Sequence, residues 1–222
     1  MKRTLTFLFI LFSISAQAQY WLPKSSGEIV KHKYYTLSYN EEEEQANWVA
    51  YKLTSKMIHG PAERKNNFKA DPKVTTESAS LADYKGSGYD RGHLCPAASM
   101  KIDQQAMSES FYMSNMSPQV PAFNRGKWKS LEAKVRKLTL KNDSLYVVSG
   151  PVFKNIKGEI GHNKVSVPGY YFKVIYFPRQ KKTLAYLMPN RKIEKEIDAF
   201  IVPLDSIRSF SNVYFKDFDH TL

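Results

Sequence analysis

Apolar and polar positions fall into a few separable patterns along the 222 residues. Asn40 precedes four glutamates, Glu41 to Glu44, and then Ala46, Val49, Ala50 and Leu53 recur at helical spacing. That pattern predicts a helix capped by Asn40, with an acidic first turn, running to about Lys56. Residues 59–88 are polar and punctuated by Gly, Pro and Asn, which predicts loop. Trp128, Leu131, Val135 and Leu138 share one arc of a 3.6-residue period, so a second helix is expected within 124–141. Residues 144–149, 170–177 and 183–188 are short runs rich in Val, Ile, Tyr and Phe and predict strands, with 178–182 as the turn between the last two. A short helix near 194–200 and a final segment to Phe215 complete an α+β pattern. No repeat or linker divides residues 19–222, which read as one domain.

The first 18 residues carry a different signal. Lys2 and Arg3 precede a nearly unbroken apolar run over 5–14, and Ala16-Gln17-Ala18 has the small-x-small form of a signal-peptidase site. A signal peptide over 1–18, cleaved between Ala18 and Gln19, predicts a secreted or periplasmic protein. The apolar run is shorter than the ~20 residues a membrane span needs, so no span is expected.

Composition narrows the remaining classes. With 42% hydrophobic residues the chain is neither collagen-like nor disordered. A single cysteine, Cys95, permits no intramolecular disulfide and no four-cysteine zinc site, and is expected to pack as a small apolar residue. Thirty-three Lys and Arg against 21 Asp and Glu give a net charge of +12, which favours a polyanionic partner.

Residues 89–136 hold the candidate chemistry. Asp90-Arg91-Gly92-His93 is followed by Ser114-Asn115-Met116-Ser117-Pro118-Gln119, and then by Asn124-Arg125-Gly126-Lys127-Trp128-Lys129-Ser130-Leu131-Glu132. His93 offers a general base and Arg91 a cation beside it. Asn124 and Glu132 are hard oxygen donors of the kind that suit Mg²⁺. Phosphodiester cleavage needs an activated water, a neutralised phosphate and a stabilised leaving oxygen, and this set can supply all of them. His32, His59, His162 and His220 lack a companion motif and read as surface or core residues, and Trp128 reads as core.

These ordered blocks resemble the DNA/RNA non-specific endonuclease family, the endonuclease G-like ββα-metal (His-Me finger) nucleases. The DRGH motif falls on Asp90 to His93, the SNxxPQ block on Ser114 to Gln119, and the NxxxWxxLE block on Asn124 to Glu132. Looser similarity reaches Phe68-Lys69-Ala70-Asp71 upstream and the strand ending near Tyr176 downstream. The resemblance implies a central, mostly antiparallel sheet flanked by helices, and hydrolysis of DNA and RNA with little sequence preference. It implies His93 as general base, Asn124 as direct Mg²⁺ ligand (Mn²⁺ being an alternative ion) and Glu132 as holder of the metal's water shell. It further implies Arg91 as a phosphate contact, Asp90 as an orienting group, and Asn115 and Arg136 as supporting polar positions. Arg64 is the nearest arginine upstream of the Phe68 element, where the family often has a phosphate-binding arginine, and Asn66 occupies the position some members give it.

A continuous helix would separate Asn124 and Glu132 by ~12 Å, so Asn124 is expected at the helix entry. Two rival readings use the same residues: an inactive nucleic-acid-binding module, and a phosphodiesterase for small nucleotides. A narrow acidic pocket would favour the latter. Oligomeric state is left open, a dimer included.

Overall fold

The computed structural model describes residues 21–215, so the leader sequence and His220 lie outside the described residues. Its frame is a seven-stranded antiparallel sheet. The strands are β1 (Glu28–Lys31), β2 (Thr36–Asn40), β3 (Gln45–Thr54), β6 (Ser144–Val152), β9 (Tyr170–Phe177), β10 (Lys182–Pro189) and β11 (Ile201–Val202), side by side in that order. Two small hairpins stand apart: β4 (Asp90–His93) with β5 (Met116–Gln119), and β7 (Glu159–Ile160) with β8 (Val165–Ser166). The helices are α1 (Ser55–Ile58), α2 (Leu81–Tyr84), α3 (Gln104–Glu109), α4 (Pro121–Phe123), α5 (Lys129–Asn142) and α6 (Leu204–Ser211). None is long and apolar enough to cross a membrane.

Both faces of the sheet are covered. Tyr51, Leu53, Val147, Tyr171 and Ile175 pack with Trp128, Leu131 and Val135 on the α5 side. Trp48, Ala50, Val148, Phe172 and Val174 pack with Leu204 and Ile207 of α6 on the other. Neighbouring residues therefore serve opposite cores, as the two-residue period of a strand requires.

This double burial corrects the helix expected over 40–56, where the chain instead forms the end of β2, a tight turn and β3. A strand buried on both faces loses its apolar–polar alternation, and its continuous run can mimic a helical stripe. A bulge adds to the disguise. Trp48 pairs with Ser38 but Ala46 pairs with Tyr39, leaving Asn47 as an extra residue that moves Ala46 onto the face of Val49 and Leu53. Asn40 does cap backbone, its side-chain oxygen accepting from Glu42 N at 3.1 Å, but within a hairpin turn that ends at Glu44 in the left-handed region (φ 53°). The glutamates are turn residues, not a helix start.

Other expectations hold. The strand predicted at 170–177 is β9, those at 144–149 and 183–188 lie within β6 and β10, and the arc of Trp128, Leu131 and Val135 is buried. The segment near 194–200 supplies only a 3₁₀ turn, Ile197–Phe200. Cys95 is free and fully buried in the core, where burial pushes its thiol up.

The β4–β5 hairpin is tied to the main sheet through polar groups. Ser117 Oγ lies 2.6 Å from Tyr171 Oη, which also donates to the Pro118 carbonyl at 2.8 Å. Asn190 donates to the same carbonyl and accepts from Val120 N at 2.8 Å, fixing the exit from β5 into α4. Within the hairpin, Gly92 lies against Gln119, and a Cβ at residue 92 would come within 2.2 Å of that side chain. Gln119 is itself fully buried. Gly92→Ala is therefore expected to cost about 1–3 kcal/mol through overpacking, read as a lowered urea midpoint; an unchanged midpoint would contradict this packing.

Candidate active site

His93 ends β4, opposite Met116 of β5. Its backbone carbonyl accepts from Trp128 Nε1 at 3.4 Å, so the strand carrying the imidazole is coupled to the helix side. The imidazole is buried, and its Nε2 has no hydrogen-bond partner among the described residues. Burial, with Arg64 and Arg91 nearby, lowers its pKa from 6.5 to about 3. It is therefore neutral at pH 7 and able to accept a proton.

Asn124 sits just after α4, where the helical run widens into a π-turn, Asn124–Trp128, before α5 begins. The helix entry is where the sequence puts Asn124, but the segment joining it to Glu132 is not one regular helix. Gly126 departs from helical geometry (φ −101°, ψ −115°). Wide turns of this kind re-aim the side chains they carry. Asn124 Nδ2 donates to Asp90 Oδ2 at 2.9 Å. The ionised Asp90 carboxylate accepts only, so it selects the amide nitrogen and leaves the amide oxygen free. Arg125 closes on the same carboxylate through two bonds, 2.8 and 2.6 Å. Burial raises the Asp90 carboxyl, but the bonds from Arg125 and Asn124 outweigh it and hold the group below its ordinary value.

A cavity of about 410 Å³ gathers Arg64, Arg91, His93, Asn124, Arg125, Lys129, Glu132 and Arg136, with Pro96, Ala97 and Ala98 on one wall. Six of the eight residues singled out from the sequence line it. Asp90 stands behind Asn124. Asn115 lies outside, fully buried; it accepts from Cys95 N at 2.8 Å and donates to the carbonyls of Cys95 and Ser110, locking the loop that follows β4. Burial pushes the Glu132 carboxyl up, opposed by Lys173, Arg136, Arg64 and Lys129. Arg136 Nη1 is buried and has no hydrogen-bond partner among the described residues. Lys127, between Asn124 and Glu132 in sequence, pairs with Glu196 at 3.2 Å.

Oxygen donors therefore face a strongly cationic cavity. No cluster of three His, Cys, Asp or Glu occurs among the described residues, so a nitrogen- or sulfur-rich metal centre is not what this site offers. A hard cation is what it does fit. Asn124 presents an amide oxygen that Asp90 leaves free, and Glu132 adds a carboxylate to the same cavity.

Residues 16–220 match the family described as DNA/RNA non-specific endonuclease. The chain belongs to the DNA/RNA non-specific endonuclease family. Human mitochondrial endonuclease G is 35% identical over 215 residues, covering 89% of this chain and 72% of that protein. Nuclease C1 of Cunninghamella echinulata var. echinulata is 36% identical over 218 residues, covering 90% and 86%. The fold is similar to a chain in the crystal structure of the EndoG/EndoGI complex, a study of EndoG inhibition, with a TM-score of 0.80 and 34% identity over 88% of this chain and 87% of that one. As expected of this endonuclease family, the architecture is α+β and of the ββα-metal type, the β4–β5 hairpin leading into α4 and α5.

Several contributors escaped the sequence reading. Phe68 and Phe111 flank the His93 ring at 5.8 and 5.0 Å between centroids. Asp71 accepts from Ser114 Oγ and lies 2.8 Å from His32 Nε2, anchoring the loop that carries Arg64 and Phe68. Lys173, fully buried on β9, donates to Ser149 and rests 4.4 Å from the Trp128 ring centre. Burial lowers its ammonium to about 8, with Glu132 acting against that fall. Phe68 and Asp71 lie in the upstream element of looser similarity, which carried no role for either, and Phe111 and Lys173 sit in no motif.

The neutral His93 has a consequence for folding. Below pH 6.5 the unfolded chain binds a proton that the folded imidazole refuses until about pH 3. Stability from this group is therefore complete above pH 6.5 and declines as pH falls toward 3, by about 1.4 kcal/mol per unit. His93→Gln is expected to flatten the loss between pH 7 and 4 by about 3 kcal/mol in urea titrations; equal pH dependence in both proteins would contradict a buried neutral imidazole.

Proposed function

We propose that this chain is an exported, Mg²⁺-dependent endonuclease that hydrolyses DNA and RNA with little sequence preference. The observation that carries the reading is the shared cavity, in which the unpartnered Nε2 of His93 and the free amide oxygen of Asn124 meet a cluster of guanidinium groups. Arg64, Arg91 and Arg136 bind the phosphodiester through its charge and carry no base information, which suits hydrolysis without sequence preference. The cavity's cationic lining favours a polynucleotide backbone over a small-nucleotide site with acidic walls.

Nε2 of His93 takes a proton from water. The water oxygen forms a bond to phosphorus as the bond to the 3′ oxygen breaks, leaving a 5′-phosphate and, after protonation, a 3′-hydroxyl. The bound phosphate offsets the charges of Arg64 and Arg91, so the imidazole gains basicity when substrate is in place. Asn124 would hold Mg²⁺, or Mn²⁺, directly, and Glu132 would hold its water shell. The ion supplies charge neutralisation at the phosphate and the departing oxygen. Asp90 keeps the amide of Asn124 turned the right way. Export rests on the basic, apolar and small-x-small segments of residues 1–18.

Plasmid and RNA cleavage should require Mg²⁺ and stop with chelator. His93→Ala should lower kcat at least ~100-fold while oligonucleotide affinity changes little. Asn124→Ala should lower the rate and raise the Mg²⁺ concentration needed for half-maximal activity. Chelator-resistant cleavage, or full turnover by His93→Ala, would overturn the mechanism. Oligonucleotide retention without cleavage in added Mg²⁺ would instead identify a binding module. Affinity should also fall steeply between 50 and 200 mM salt, roughly as the released counterions dictate; a flat response would contradict phosphate recognition by the cavity.

A further inference from the structure

An aromatic wall stands behind the cations of the cavity, and the reaction scheme above gives it no work. Phe68 is half-buried, and the guanidinium carbon of Arg91 lies 4.2 Å from its ring centre. Phe111, fully buried, meets Phe68 edge-on at 5.0 Å and 89°. The same ring meets His93 at 5.0 Å and 89°, and the Arg64 guanidinium carbon lies 5.0 Å from its centre. Both cations and the imidazole therefore rest on one pair of phenyl rings.

The backbone holds that pair in place. Lys69 N donates to the Phe111 carbonyl at 3.4 Å, and Met113 N donates to the Lys69 carbonyl at 2.9 Å, so the residues following both rings form a short bridge. Asp71, three residues beyond Phe68, is bound to Ser114 beside that bridge. Arg91 makes no ion pair or side-chain hydrogen bond with any described residue; the ring of Phe68 is its close contact. A guanidinium stacked flat on a ring keeps its in-plane N–H groups free, and those groups bind a phosphate in a bidentate manner.

We propose that Phe68 is a positioning residue for phosphate capture. Its ring supports the Arg91 guanidinium from one face, 4.2 Å from the ring centre, and leaves its N–H groups to the phosphate beside His93. This rests on the reading that the cavity takes a phosphodiester. It adds a specific dependence: the worth of Phe68 to substrate binding passes through Arg91.

The test is a double-mutant cycle on the full protein, using a fluorescein-labelled single-stranded oligonucleotide with chelator present so that nothing is cleaved. Phe68→Leu should weaken affinity about tenfold when Arg91 is intact and by less than about twofold in the Arg91→Ala background. Phe68→Tyr, which keeps the π face, should stay within about threefold of the unmodified protein. Thermal unfolding checks that each variant folds, and Phe68→Met replaces Phe68→Leu if the latter does not. Equal losses in both Arg91 backgrounds, or no loss at all, would show that Phe68 only packs and would overturn the proposal. Cleavage in Mg²⁺ is measured separately. A protein that binds the oligonucleotide but never cleaves it contradicts the endonuclease reading while the cycle still decides the role of Phe68. A protein that does not bind the oligonucleotide contradicts both.

Discussion

The hydrogen bond from Asn124 to Asp90 joins the two halves of the site. Asp90 belongs to the hairpin that carries His93, and Asn124 to the widened turn that leads into the helix carrying Glu132 and Arg136. One carboxylate therefore sets both the separation of those elements and the rotation of the amide. Because it accepts only, it dictates which amide atom faces the cavity. Arg125 donates to both oxygens of the carboxylate, sharing Oδ2 with Asn124, and keeps it ionised. Without that bond the amide could turn either way, and an N–H facing the cavity would disfavour a cation where an oxygen would favour one.

Around this junction the charge pattern is lopsided. Arginines and a lysine line a cavity in which Glu132 is the acidic residue. Such an arrangement is costly in an empty site, because like charges face each other across partly buried space. A polyanionic ligand relieves it. Lys173 and Trp128 lie beneath, packed face to cation. The low basicity of His93 belongs to the same balance, since burial and the neighbouring guanidiniums both disfavour the imidazolium.

Legibility from sequence divides along physical lines. The amphipathic helix around Leu131 and Val135 and the strands at 170–177 and 183–188 have local patterns that match their periods, and they are where expected. The residues of β3 misled because burial on both faces erases alternation, and a bulge at Asn47 shifts the parity. The acidic turn before them uses the same asparagine chemistry as a helix cap, so local sequence alone does not separate the two. Six of the eight candidate site residues line one cavity. Arg91, His93, Asn124 and Glu132 were legible because their motifs record chemistry directly, while Arg64 and Arg136 lie outside those motifs and came from the family resemblance. Phe111 and Lys173 were opaque, and the similarity around Phe68 and Asp71 did not reveal their contacts: a phenylalanine under an arginine, or a lysine under a tryptophan, is a fact of three-dimensional packing.

The central claim is that the imidazole of His93 and the amide oxygen of Asn124 serve one scissile phosphate. A crystal structure of the His93→Ala protein with Mn²⁺ and an uncleaved oligonucleotide tests it most directly. The account predicts the ion at about 2.0–2.2 Å from Asn124 Oδ1, by analogy with Mg²⁺–oxygen bonds, with a phosphate on it that also faces residue 93. An ion bound elsewhere, or a phosphate placed away from residue 93, would contradict the account.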